Sequence, residues 1–60
     1  MYNLYRNTQL IATCSRRSVL VLMDRIKQLA QAEGHNVTFS GHSSALCLQV
    51  GGNTYSGVLA

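Results

Sequence analysis

Two spacings of apolar residues alternate along this chain, and they divide it into strands and one helix. Residues 2–14, YNLYRNTQLIATC, carry Tyr, Leu, Ile and Thr on either side of Arg6-Asn7-Thr8. Such side chains favour extended backbone, and Asn7 tolerates the left-handed conformation that a tight turn can require. Two short strands around a turn are expected. The period then lengthens to that of a helix. Stepped at 100°, Val19, Leu22, Met23, Ile26, Leu29 and Ala30 fall within one arc about a third of the circumference wide. Ser15 suits the N-cap, where its hydroxyl can accept a first-turn N–H, and Gly34 suits the position just past the C-cap. The 18 residues between them make a helix about 27 Å long. Its opposite arc holds Arg16, Arg17, Asp24, Arg25, Lys27, Gln28 and Gln31, and also Leu20 and Val21.

After Gly34 the period falls to two. NVTFS sets Val37 and Phe39 on one side, ALCLQV sets Leu46, Leu48 and Val50 on one side, and NTYSGVL follows. Gly41-His42-Ser43-Ser44 and Gly51-Gly52-Asn53 are turn chemistry between these runs. The pattern predicts an α+β domain of order β-β-α-β-β-β, with one long helix packed on one face of a small antiparallel sheet. With the apolar positions toward the helix, the other face offers Thr38, Ser40, Cys47, Gln49 and Ser56.

Composition adds a constraint on stability. A chain of 60 residues buries only about 60% of the surface its unfolded form exposes, so its core supplies a few kcal/mol at most. At 47% hydrophobic and 12% charged it is a folding sequence rather than a disordered one. Without proline or a glycine-rich stretch there is no linker, and residues 1–60 read as a single domain.

Charge is distributed unevenly. All five basic and both acidic residues precede Gly34, and the 27 residues from Gly34 to Ala60 contain no Asp, Glu, Lys or Arg. Sheets usually protect their edges from pairing with other chains by lysine, proline or inward-pointing charge, and these strands have none of those. A covering chain is therefore expected: a homo-oligomer, in the simplest case a dimer, with Thr38, Ser40, Cys47, Gln49 and Ser56 at its interface. The alternative is that the helix and the amino-terminal hairpin, which hold all the charge, keep the chain dispersed by themselves.

The helix is charged in the reverse of the favourable sense. Arg16 and Arg17 open it and Glu33 closes it, and each such charge opposes the macrodipole at about 0.3–1 kcal/mol. The positions three and four residues on are Val19, Leu20 and Val21, so no acid offsets the arginines. Two readings are open. Either the pair binds an anion such as a phosphate or a partner's carboxylate, or both guanidinium groups extend into solvent, where salt screens them. Leu20 and Val21, flanked by Arg16, Arg17 and Lys27, suggest an outward protein-binding surface. Against it stands a tilted helix, or one whose first turn the hairpin covers.

Other chemistry is sparse. Cys14, His35, His42 and Cys47 lack any Cys-x-x-Cys pair or short His spacing, so both histidines read as turn residues and no metal or other cofactor is expected. The only carboxylates, Asp24 and Glu33, share one helix, and no nucleophile elbow or phosphate-cradling loop is present. Nor does so short a chain leave room for a substrate cleft, so no enzyme is expected. A net charge of +3 and a pI near 9.3 raise a nucleic-acid reading. Yet Arg25 projects roughly opposite Arg16 and Lys27, and Tyr55 lies in the charge-free half, away from basic residues. The run VLVLM is too short to cross a bilayer, and MYNLYRNTQ lacks an export pattern, so the expected compartment is the cytoplasm, with both cysteines reduced. The expected function is a small non-enzymatic protein-binding or regulatory module that self-associates through its uncharged C-terminal strands. Its size is that of many bacterial and phage accessory proteins. The alternative is a basic nucleic-acid-binding protein whose helix arginines contact phosphates.

Overall fold

The computed structural model covers residues 1–60. The elements follow in the expected order: β1 (Tyr2–Arg6), β2 (Gln9–Cys14), α1 (Arg16–Ala32), β3 (Val37–Gly41), β4 (Ala45–Val50) and β5 (Asn53–Leu59). All five strands join one antiparallel sheet in the order β2-β1-β5-β4-β3. The first and last strands are thus neighbours, and α1 carries the chain over one face from the edge strand β2 to the opposite edge strand β3.

Local chemistry sets the boundaries. Asn7 holds φ at 56°, its Oδ1 accepts the Thr54 N–H at 3.1 Å, and its own N–H donates to the Thr54 carbonyl at 2.6 Å. The β1–β2 turn is thereby bonded to the start of β5. Ser15 Oγ accepts the Ser18 N–H at 3.2 Å, as an N-cap should. At the far end Gly34 takes φ 83°. There the His35 N–H reaches the Ala30 carbonyl at 2.9 Å and the Gly34 N–H reaches the Gln31 carbonyl at 3.1 Å. That pair of bonds is a Schellman motif, which requires the left-handed residue that glycine supplies.

The register brings Tyr2 and Leu4 of β1, Leu46, Leu48 and Val50 of β4, and Tyr55 and Gly57 of β5 to the helix side. Val19, Met23 and Ala30 pack against them, and Ala12, Cys14, Ile26 and Val37 fill the margins. At Gly57 the helix lies close to the sheet, since a Cβ there would stand 2.9 Å from Val19 Cγ1.

The expected apolar arc is only partly covered. Val19, Met23 and Ala30 are buried, but Leu22 is 38% exposed and Leu29 66%. A helix about 10 Å wide cannot roof five strands that span about 24 Å. The shoulders of α1 therefore overhang two open apolar grooves, one toward β2 and one toward β3.

Candidate protein-binding surfaces

On the face away from α1, alternation along the strands and pairing between them arrange the side chains in rows. One row, Leu10–Tyr5–Ser56–Cys47–Ser40, crosses all five strands. A second runs Thr13–Asn3–Val58–Ala45, and a third Thr54–Gln49–Thr38. Thr13 Oγ1 donates to Asn3 Oδ1 at 3.0 Å within the second row. Thr38, Ser40, Cys47, Gln49 and Ser56 thus form one continuous patch on β3, β4 and β5.

None of the residues in these rows is charged. The strand alternation places Arg6 on the helix side with Tyr2 and Leu4, and every other charge lies on α1 or at its C-cap, Glu33. The uncharged character therefore extends past the C-terminal half to the whole open face. Asn3, Tyr5, Leu10, Thr13, Ala45, Thr54 and Val58 join the five expected residues on this face. Arg6 makes the first hairpin count as charged, although its even spacing from Leu4 already sends it to the other face.

The two sheet edges differ. At β3 the His42 N–H donates to the Ala45 carbonyl at 2.7 Å, and the Gly51 N–H donates to the Asn36 carbonyl at 3.1 Å. Between these brackets an antiparallel ladder alternates, so Thr38 and Ser40 bond to β4 while Val37, Phe39 and Gly41 turn their N–H and C=O groups outward. This ladder is unbroken. At β2 the register shifts: Leu4 faces Ala12 and Tyr5 faces Leu10, leaving Ile11 as an extra residue. A bulge of this kind bends an edge strand and interrupts its row of free groups.

Arg16 is occupied internally. Its Nη1 donates to Tyr2 Oη at 2.9 Å, to the Ser43 carbonyl at 2.9 Å and to the His42 carbonyl at 3.1 Å, with the guanidinium 5.7 Å from the Tyr2 ring centre. The Tyr2 hydroxyl in turn donates to the Ser43 carbonyl at 2.9 Å. Instead of serving as a free anion site beside Arg17, Arg16 ties the helix start to β1 and to the β3–β4 turn. These contacts offset its unfavourable place at the N-terminal end of the dipole. Replacing Arg16 with Ala is expected to cost about 1–3 kcal/mol of unfolding free energy, as bonds to a charged donor are lost. Arg17→Ala, at an exposed side chain, is expected to stay within about 0.5 kcal/mol. Denaturant titration of both variants checks this, and equal effects would show that the Arg16 contacts add nothing.

The surface expected from Arg16, Arg17, Leu20, Val21 and Lys27 is divided by the helix. Leu20 and Lys27 line the β3-side groove with Met23, Asp24, Phe39 and Leu48. Arg17 and Val21 line the β2-side groove with Ala12, Cys14, Ser18 and Leu22. Successive residues lie about 100° apart, enough to send Leu20 and Val21 over opposite shoulders. Arg25 lies beside Gln28 and Leu29, across the helix from Arg16 and Lys27, so the basic side chains make no common stripe.

Cys14 lies on the helix side of β2 and Cys47 on the open face, and both are free thiols. His35 stands 3.5 Å from the Glu33 carboxylate, and nowhere do three His, Cys, Asp or Glu side chains gather as metal ligands would. No helix is long and apolar enough to cross a membrane. Comparison with family models, curated proteins and solved structures finds no match for this chain.

Proposed function

We propose that this chain is a small, non-enzymatic protein-binding module that self-associates through its uncharged C-terminal strands. Thr38, Ser40, Cys47, Gln49 and Ser56 make the contact between copies. The observation that carries this reading is the open face itself, five strands wide and without a single charge. Only nine of the 60 residues are buried, so a lone chain has little core to draw on, and a second chain adds burial where the first lacks it. The nucleic-acid reading has less support, because Arg16 is committed internally and Arg17 and Lys27 line grooves on opposite sides of the helix.

Sedimentation at micromolar concentration is the test. The wild-type chain is expected to exceed the monomer mass. Gln49 sits mid-patch between Thr38 and Thr54, and Gln49→Lys is expected to lower the assembly's mass while leaving its circular dichroism unchanged. A wild-type assembly whose mass Gln49→Lys does not alter would show that the face is not the contact.

A further inference from the structure

We infer that the β3 edge is a second, separate self-pairing surface, at which two copies of this chain join their sheets about a two-fold axis through Phe39. The outward groups of β3 are complementary to themselves. In an antiparallel pairing centred on Phe39, Phe39 faces its own counterpart and Val37 faces Gly41 of the other copy, so all three outward N–H groups of each strand meet carbonyls. No charge on residues 37–41 opposes this, and neither lysine nor proline blocks it.

The side chains agree with the backbone. On the helix side the pairing sets Phe39, 47% exposed in the single chain, against Phe39 of the second copy beside the groove of Leu20 and Met23. On the open side Thr38 meets Ser40, polar against polar. The groove carries one acid, Asp24, and one base, Lys27, so a second copy brings a balanced charge pattern rather than a repulsive one.

The other edge determines where assembly stops. Two equally available edges would propagate a filament, whereas the Ile11 bulge blunts β2 and leaves β3 as the one regular edge, which closes the pairing at two. The pairing also enlarges the open face. One copy offers roughly 430 Å², from five strands about 24 Å across and about 18 Å long. Two joined copies offer roughly 860 Å², near the 800 Å² or so that each partner contributes to a standard interface.

The test uses the Gln49→Lys chain, in which the face contact is removed, so that edge and face are read separately. Sedimentation is expected to give a dimer, and the amides of Val37, Phe39 and Gly41 are expected to exchange with deuterium at least about tenfold more slowly when concentrated than when dilute. Phe39→Lys added to this chain is expected to return a folded monomer, since like charges would then stand directly opposite across the seam. If the Gln49→Lys chain is monomeric at high concentration, or if it dimerises with those three amides still exchanging fast, the edge pairing is wrong. Neither result bears on the face contact, which the mass difference between wild type and Gln49→Lys decides.

Discussion

Leu48→Ala is expected to leave the chain largely unfolded at 25 °C. Leu48 is fully buried in β4, between β3 and β5 and beneath α1. Truncating a leucine in such a place removes its transfer free energy and leaves a cavity, together about 2–5 kcal/mol. A domain of this size has only about 3–5 kcal/mol from its core, so one substitution consumes most of its stability. Leu29→Ala is the control: the same chemistry at a side chain 66% exposed is expected to change stability by no more than about 0.5 kcal/mol. Thermal unfolding followed by circular dichroism separates the two. A cooperative transition in Leu48→Ala within about 1 kcal/mol of wild type would mean that the core does not centre on β4.

Gly57→Ala is expected to destabilise the fold by about 1–3 kcal/mol, against the usual preference of strands for alanine over glycine. The reason is steric. The added Cβ would stand 2.9 Å from Val19 Cγ1, and Val19 is itself fully buried and β-branched, with little rotamer freedom. Gly57 pairs with Leu4 on one side and Leu46 on the other, so the strand cannot retreat without disturbing two core residues. Combining Gly57→Ala with Val19→Ala removes the obstructing methyl groups. The double variant is expected to lose less than the sum of the singles by about 1 kcal/mol. Strictly additive losses in denaturant titrations would show that the helix does not rest on β5 at this point.

Much of this architecture is legible in the residues. The period change at Gly34, the cap at Ser15 and the left-handed Asn7 each depend on neighbours within a few positions, and the order β-β-α-β-β-β follows from them. Alternation also sorts Thr38, Ser40, Cys47, Gln49 and Ser56 onto one side, because side-chain direction repeats every two residues whatever the strand order. The order β2-β1-β5-β4-β3 is not legible, since nothing in β1 names β5 as its neighbour. Helix exposure suffers from the same gap. A helical wheel shows which arc is apolar but not how much of it the sheet reaches, so Leu22 and Leu29 read as core although they lie on the shoulder of the helix, clear of the packed strip of Val19, Met23 and Ala30. Arg16 shows a third limit. Its partners are carbonyls of His42 and Ser43, and backbone acceptors leave no trace in a pattern of side-chain types.

The adjacency of β1 and β5 also has a kinetic consequence. The β1–β2 hairpin and the β3–β4–β5 meander each form from local contacts, whereas Tyr2 must find Leu59 and Leu4 must find Gly57 across nearly the full length of chain. Closing so large a loop is entropically slow, and contacts of high sequence separation lengthen folding times. Until those contacts form the sheet is in two parts, with β1 and β5 each carrying an unmatched side. That interval, before β1 and β5 meet, is when the sheet is most open to mispairing with another chain.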